Sequence, residues 1–488
     1  MNPDPNAPVA LQLGALVAYS LGLIGFGLWV SRRRRGGSAS FFVADRKLGP
    51  GLLFSTFLAA NIGAGSIIGA SALSYNVGVS AWWFVGSAGI GQLVLAFFVG
   101  PRIWRVAKAH DLYTVGDYLE HRYGSAVRVT VASILWLGTL AILATQLIAM
   151  SLILEWVVGA PRGVGALIGG IVMIAYFSAG GLFTSAWVNL VQLTVLLTGF
   201  LIAIPIAIRN AGGWSAVLAA VPKDPEYMNP LALGGLITFV TVMPAFVISP
   251  GFVQKAFGAI DERTIRIGVG LQGVALLIFA SAPMLMGLIA HSYDPALVNA
   301  DYAVPTVLTL GLPAILGALA LAAVFSAEVS SADAVLFMLS TSLSKDIYKR
   351  YLAPDATDAQ VLRVARLAAI AGGALGIALT LVLDTVLQSI MIFYSILSVS
   401  LFVPVVAGLY SRRPGVPEAI AAIAAGVTGL FALEGAARWG GPVAVPAWMS
   451  STGAGIVASA VVFALVFAMR RPKLGSSSNS PPPGTSQS

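Results

Sequence analysis

The chain has 488 residues, of which 58% are hydrophobic and 10% charged, with 53 glycines and a formal net charge of +8. Because soluble domains carry about 25% charged residues, this composition excludes a water-soluble globule and indicates an integral membrane protein. The chain has no cysteine, which excludes disulfides and thiolate chemistry, and its cations are scattered between apolar runs rather than gathered into the basic face that nucleic acid requires.

Long apolar runs divide the chain into predicted membrane spans. A spanning helix needs roughly 20 apolar residues, because lipid offers the backbone no hydrogen-bond partners. The runs predict an all-α integral membrane protein with about 13 transmembrane helices. The predicted spans are 8–31, 50–75, 79–107, 125–158, 163–178, 186–208, 231–254, 266–291, 313–341, 364–383, 386–410, 416–433 and 446–469.

Positive charges between the spans predict the orientation. If the loop with Arg32, Arg33, Arg34 and Arg35 is cytoplasmic, 24 of the 28 Lys and Arg residues fall on the cytoplasmic side and 4 fall outside. This sorting leaves every Lys and Arg in a loop or near the end of a span, and none in the middle of one. We therefore expect a multi-pass protein of the cell (inner) membrane with its N-terminus outside and its C-terminus in the cytoplasm.

Two predicted spans contain residues that interrupt helices. The second contains Asn-Ile-Gly-Ala-Gly-Ser at 61–66, and the seventh contains Pro244 and then Ser-Pro-Gly at 249–251. Transporters commonly place their binding site at matched breaks of an internal repeat, although such residues also serve only for kinks or close packing. Each break begins a set of five spans, and because five is odd, the second set runs through the membrane in the opposite sense.

This arrangement predicts a 5+5 inverted-repeat core with discontinuous first core helices. The predicted divisions are an extra N-terminal helix and basic loop in 1–45, the two repeats in 46–210 and 211–412, two C-terminal helices in 413–471 and a disordered Ser/Pro-rich tail in 472–488.

Short fragments along the chain occur in a characteristic order. They are Phe41-Phe42-Val43-Ala44-Asp45-Arg46, Leu58-Ala59-Ala60-Asn61-Ile62, Thr114-Val115-Gly116-Asp117-Tyr118-Leu119, Arg122-Tyr123-Gly124, Gly180-Gly181-Leu182 with Trp187 and Gln192, Gln254-Lys255, Ser330-Ser331-Ala332-Asp333 and Lys345-Asp346-Ile347-Tyr348-Lys349. Together they resemble the sodium:solute symporter family over most of residues 40–415. The resemblance implies a ten-helix inverted-repeat core of the LeuT type with flanking helices.

The resemblance also implies a sodium site between the first broken helix and the eighth core helix. Its matching ligands are the carbonyls of Ala59, Ile62 and Ala327 and the hydroxyls of Ser330 and Ser331. Residues 327, 330 and 331 share one helix face, which agrees with this assignment. Ser326-Ala327 could also match the hydroxyl pair, but Ser330-Ser331 keeps the family's spacing to Asp346. Without the resemblance, hydrogen bonds to helix carbonyls would explain these hydroxyls.

Two departures from the family pattern indicate which ions and solutes the protein binds. Where the family often has Trp-Thr-Asp, this chain has Trp187-Val188-Asn189, and the uncharged Asn189 makes a second sodium ion doubtful. Glycine, alanine and serine follow Asn61, whereas sugar carriers have polar and acidic residues there, so a sugar is disfavoured.

Two acids fall on the predicted eighth core helix, and intramembrane acids indicate function by default. Glu328 is turned by about 100° from Ala327 and is expected to face a neighbouring helix or the inner cavity, where it assists the cation, binds a coupled proton or fixes the packing. Asp333 is expected at a wet inner gate. With Asn189, these residues form the predicted coupling or gating set.

The solute site is expected at mid-membrane between the two breaks. The candidate substrate-binding residues are Asn61, Ser66, Gln146, Ser249 and Gln272. Trp82 and Trp83 fit an interfacial belt better. With no cation in the middle of any span, an anionic solute would depend on helix ends. A small neutral, zwitterionic or monocarboxylate solute therefore fits best.

These observations predict a sodium-coupled symporter, not an enzyme, that works by alternating access with a solute, sodium and the lipid bilayer as partners and no nucleic acid. The sequence has no G-x-x-x-x-G-K-[ST] phosphate-binding loop, and its three histidines fall in predicted loops or at interfaces, so no Ser/His or His/Glu arrangement is expected within the bilayer. Two alternatives remain: a proton-coupled symporter that uses Glu328, and a solute-binding sensor or channel without coupled transport.

Overall fold

The computed structural model describes residues 7–32, 46–178, 182–411, 415–439, 446 and 449–470. These residues are helical, apart from loops and one isolated bridge between Leu48 and Ala259. The helices are α1 (Ala7–Arg32), α2 (Pro50–Asn61), α3 (Ala70–Val77), α4 (Trp82–Val94), α5 (Gly100–Ala109), α6 (Val115–Tyr123), α7 (Ser125–Val158), α8 (Arg162–Ser178), α9 (Leu182–Asn210), α10 (Trp214–Ala220), α11 (Leu233–Ile248), α12 (Pro250–Phe257), α13 (Glu262–Phe279), α14 (Ser281–Tyr293), α15 (Ala303–Leu310), α16 (Ala314–Thr341), α17 (Asp358–Leu379), α18 (Val386–Tyr410), α19 (Val416–Trp439) and α20 (Ser451–Met469). Short 3-10 turns lie at Gly78–Ala81, Pro225–Met228 and Ala300–Tyr302, and π-helical turns at Gly65–Gly69, Leu95–Val99 and Ser342–Leu352.

Eleven helical segments in the described residues are long and apolar enough to cross a membrane. They confirm the all-α membrane fold, whereas the predicted number of 13 is not confirmed. One of the eleven runs without a gap from Gly65 to Ala109, 45 residues, which is about 68 Å as a helix and more than twice the hydrocarbon thickness. Gly78, with φ of 75°, begins a turn inside this segment. The fifth predicted span corresponds to α8, whose apolar stretch Arg162–Ile174 is shorter than the eleven segments.

The second predicted span is interrupted where the glycines occur. Helix α2 ends at Asn61, and Ile62 is extended, with φ −96° and ψ 95°. The helix resumes as the π-helical turn Gly65–Gly69 and continues as α3. A Cβ atom at Gly63 would overlap Ser331 Oγ and lie 2.6 Å from Ser331 Cβ. Glycine therefore allows the open backbone to approach α16 closely, and the first predicted break is confirmed.

The seventh predicted span is also interrupted. Helix α11 ends at Ile248, Ser249 adopts φ −52° and ψ 125°, and α12 begins at Pro250. Proline has no N–H to continue the hydrogen-bond ladder and favours the first position of a new helix. The second predicted break is therefore confirmed.

Helix α16 lies against the first break. It packs on α2, α7, α9 and α1, and it is buried along most of its length. The chain just before α2 is joined by backbone bonds to the chain just after α12, with Leu48 N–H donating to Gly258 O at 2.9 Å and Ile260 N–H donating to Leu48 O at 3.3 Å. The two breaks are thus held beside each other and beside α16.

The predicted division into repeats remains a prediction. The boundary at 210/211 falls between α9 and α10. The boundary at 45/46 lies at the edge of the described residues, and the boundary at 412/413 lies outside them. The basic loop at 33–45 and the predicted disordered tail at 472–488 also lie outside the described residues.

Candidate functional site

A cavity lies between the two breaks. Four of the five predicted solute-binding residues line it: Asn61, Ser66, Gln146 and Ser249. Its apolar wall comes mainly from aromatic and aliphatic side chains of α11, α12, α16 and α18. They include Phe246, Phe252, Met338, Ile390, Phe393 and Tyr394. The cavity thus combines a few polar groups with a large apolar surface, which is typical of small-molecule sites.

Side chains hold the first break in its open form. The amide of Gly63 donates to Ser66 Oγ at 2.9 Å, and the Ser66 hydroxyl is 3.1 Å from the Gly63 carbonyl. The amide of Ala64 donates to Gln146 Oε1 at 3.2 Å. Ser66 and Gln146 therefore satisfy backbone groups that the missing helical turn leaves without partners.

Asn61 presents an acceptor at the same break. Its Nδ2 donates to the Phe57 carbonyl at 2.8 Å. Its Oδ1 is buried and has no hydrogen-bond partner among the described residues. Because a buried acceptor without a partner is costly, Oδ1 is suited to accept a hydrogen bond from a ligand.

Three of the five predicted sodium ligands meet at the break. Ser331 Oγ lies 3.3 Å from the Ala59 carbonyl and 3.2 Å from the Ile62 carbonyl. Both carbonyls belong to the end of α2, where the break frees them from helical hydrogen bonds. Three oxygens without charge in close proximity suit a hard monovalent cation.

Ser330 and Ser326 lie next to a second helix. The Ser330 hydroxyl donates to Asn189 Oδ1 at 2.7 Å. Gln192 Nε2 donates to Ser326 Oγ at 2.9 Å and to its carbonyl at 3.2 Å. Helix α9 therefore contacts the face of α16 that contains Ser330. Ser326, the alternative candidate for the hydroxyl pair, faces α9 as well. Ala327 lies between these two serines and is also buried, and its carbonyl takes no part in these hydrogen bonds.

The two acids of α16 lie in different surroundings. Glu328 is fully buried near the Ala64 amide, but neither carboxylate oxygen forms a hydrogen bond with the described residues. It lies beside the first break rather than in the cavity lining. Asp333 is only 6% exposed and lies close enough to Lys255 for electrostatic attraction, so its surroundings are drier than expected for an inner gate.

Charge sorting assigned Lys255 to a loop just beyond the seventh predicted span, but the structure places it in a helix and in the cavity wall. This residue belongs to α12, inside the apolar segment Leu233–Phe257, and it is 4% exposed and lines the cavity. Counting charges by loop failed here because the break starts a second half-helix, which continues from Pro250 to Phe257. The Ser-Pro-Gly sequence itself was the signal that could have corrected the assignment.

Gln272 lies apart from the other candidates. It is fully buried on α13, its amide atoms have no hydrogen-bond partner among the described residues, and it does not line the cavity. Trp83 donates from Nε1 to the Pro230 carbonyl at 2.8 Å, and neither it nor Trp82 lines the cavity. Tyr394, Phe246 and Phe393, which do line it, carry no distinguishing signal in an apolar sequence.

Comparison with known proteins identifies the family. The sequence profile of the sodium:solute symporter family matches residues 41–426. The sodium/glucose cotransporter of Vibrio parahaemolyticus is 26% identical in an alignment of 400 residues that covers 74% of this chain and 73% of that protein. The sodium/pantothenate symporter of Escherichia coli K12 is 26% identical in an alignment of 433 residues that covers 84% of this chain and 88% of that protein.

A solved structure shares the fold. A Na⁺-coupled sialic acid symporter, in a substrate-bound outward-open state, superposes with a TM-score of 0.79 at 17% identity over 95% of this chain and 98% of its own. This likeness confirms the expected transporter architecture, and the family's relatives are transporters rather than enzymes. Because the family profile spans more than half of the chain, the protein belongs to the sodium:solute symporter family.

Proposed function

We propose that the protein is a sodium-coupled symporter that carries a small neutral, zwitterionic or monocarboxylate solute across the cell (inner) membrane by alternating access. In this proposal the N-terminus lies outside and the C-terminus in the cytoplasm. The observation that carries the proposal is the position of Ser331 Oγ, 3.2 Å and 3.3 Å from two carbonyl oxygens that the first break has freed. The membership of the family agrees with it.

Sodium binding would connect α2 to α16. The hydroxyl of Ser331 now lies against the carbonyls of Ala59 and Ile62, and a cation would be attracted by these same three oxygens once the hydroxyl proton turns away from it. Ala327 and Ser330 are the further proposed ligands. Occupancy would then fix the distance between the broken helix and α16.

The same break forms one wall of the solute cavity, which gives a physical route for coupling. Asn61, Gly63 and Ser66 line the cavity, and Ala59 and Ile62 face Ser331. An ion that orders this segment also orders the solute site. By linkage, the solute must raise the affinity for sodium by the same factor as sodium raises the affinity for the solute.

Uptake into proteoliposomes tests the proposal. A sodium gradient is expected to drive accumulation of a solute, and a potassium gradient is not. Ser331→Ala is expected to weaken sodium activation by at least about tenfold, because a cation ligand is lost while the fold is kept. Ser340→Ala is the matched control, since that hydroxyl lies on the same helix and donates to the Phe337 carbonyl at 3.0 Å.

Three outcomes would contradict the proposal. Normal sodium activation in Ser331→Ala rejects the ligand assignment. Accumulation driven by a proton gradient without sodium supports the proton-coupled alternative with Glu328. Binding of solute without accumulation under any gradient supports the sensor or channel.

A further inference from the structure

Lys255 places a positive charge in the cavity wall. It is 4% exposed and lies on α12, two turns of helix beyond the Ser249 break. No Asp, Glu, Arg or His is among the described residues that line the cavity. The formal charge of the lining is therefore positive, which favours a ligand with a negative group.

The protein satisfies this ammonium group only in part. Nζ donates to the Thr56 carbonyl at 2.9 Å, and an ammonium group has three N–H donors. Asp333 attracts it electrostatically but does not line the cavity. A buried ammonium group whose hydrogen-bonded neighbour is an uncharged carbonyl is costly, and a ligand oxygen with negative charge would offset that cost.

The rest of the cavity restricts the body of such a ligand. Phe246, Phe252, Phe393 and Leu397 offer apolar contact, and Asn61 Oδ1 offers one acceptor near the opposite break. A solute with one carboxylate and a small apolar body would match both the charge and the wall. A solute with only an ammonium group would be repelled.

We propose that Lys255 binds the carboxylate of the transported solute and so makes the protein selective for small organic carboxylates. This inference rests on the proposed symport function and narrows its class of solute. It also gives Lys255 a second role, because the Thr56 carbonyl belongs to α2. A solute carboxylate that takes over the ammonium group releases one hydrogen bond between the inner half-helices α2 and α12.

Matched pairs of acids and amides test the proposal on the purified full-length protein in sodium. Acetate and acetamide, lactate and lactamide, and benzoate and benzamide differ mainly in charge. Affinities from thermal stabilisation are expected to favour at least one acid over its amide by at least about tenfold. Lys255→Gln is expected to reduce that preference to about twofold or less, whereas Lys255→Arg keeps it because the charge remains.

Two further variants separate recognition from structure. Lys223→Gln removes an exposed lysine whose Nζ donates to helix carbonyls and is expected to keep the acid preference. Asp333→Asn is expected to raise the affinity for the acid, because it removes the negative charge that competes for Lys255. If the only role of Lys255 were to join α2 to α12, Asp333→Asn would not raise the affinity for the acid.

Several results would overturn the inference. They are a folded Lys255→Gln protein with an unchanged acid preference, a wild-type protein that binds the amides as well as the acids, and a wild-type protein that binds none of the acids. Sodium-dependent binding of a neutral solute would overturn this inference alone and leave sodium symport standing. Acid binding that depends on Lys255 but not on sodium would reject the coupling and keep the role of Lys255.

Discussion

The two breaks of the membrane core differ in what keeps them open. At the first break, Ser66 and Gln146 bind backbone amides, and Gly63 lies against Ser331 with no room for a side chain. At the second break, Pro250 ends the hydrogen-bond ladder by its own chemistry, and Ser249 caps no amide of α12. The first break depends on tertiary contacts and the second on local sequence.

The breaks also differ in charge. Glu328 is buried near the Ala64 amide at the first break, whereas Lys255 follows the second break and lines the cavity. The first break thus places freed carbonyls near a buried acidic side chain, which suits a cation. The second places the Ser249 hydroxyl near a basic side chain, which suits part of a solute. The comparison favours ion binding at the first break and solute binding at the second.

Replacement of the glycines provides the strongest test of this difference. A Cβ atom at Gly63 would overlap Ser331 Oγ, whereas a Cβ atom at Gly251 would meet no atom nearer than Met338 Sδ at 3.5 Å. Overpacking costs about 1–3 kcal/mol, so Gly63→Ala is expected to weaken sodium activation of uptake by at least about tenfold. Gly251→Ala is the control at the other break and is expected to remain near wild type.

An intermediate effect is expected for Gly65→Ala. The added Cβ would overlap only Ile390 Cδ1, the mobile end of a side chain, and the next atom is 3.5 Å away. If Gly63→Ala and Gly251→Ala had equal effects on sodium activation, the view that tertiary contacts determine the first break would be wrong.

The sequence predicted the features that depend on local chemistry. The glycine cluster after Asn61 and the Ser-Pro-Gly sequence at 249–251 located both breaks, and helical periodicity put Ala327, Ser330 and Ser331 on one face. Proline alone is not sufficient, because Pro205, Pro244 and Pro404 lie inside continuous helices. Periodicity does not show which neighbour a face meets. Gln272 and Gln146 are both amides within helices, yet only Gln146 reaches the cavity.

Charge sorting failed for a related reason. It treats every residue beyond an apolar run as a loop, but α12 continues the span after the break and carries Lys255 into the cavity. The surroundings of Glu328 could not be predicted from the sequence either, because they depend on how closely α16 approaches Ala64. Long-range packing, rather than local propensity, determined both positions.

Removal of the acid beside the first break is expected to affect sodium more than solute. Glu328→Gln keeps the shape of the side chain and removes the carboxyl group. If that group ionises when sodium binds, its attraction to the ion is about 4 kcal/mol at a separation of ~4 Å and about 1 kcal/mol at ~16 Å, for an effective dielectric constant of 20. Sodium affinity, measured by isothermal titration, is expected to fall by roughly fivefold or more. Glu434→Gln, at an exposed site on α19, is the control. Unchanged sodium affinity in Glu328→Gln would show that its charge does not act on the ion.

The smallest effect is expected at the second break. Ser249 lines the cavity and caps no amide, so Ser249→Ala removes a hydroxyl that is free to bind a solute but does not hold the fold. One lost hydrogen bond contributes about 1 kcal/mol, so the affinity for the solute is expected to fall by roughly three- to fivefold, while sodium affinity in the absence of solute stays the same. Ser400→Ala is the control, because that hydroxyl donates to the Ile396 carbonyl at 2.6 Å within its own helix. Equal losses of sodium and solute affinity in Ser249→Ala would mean that the second break also shapes the ion site, since a change that acts on the solute alone cannot alter sodium binding when no solute is present.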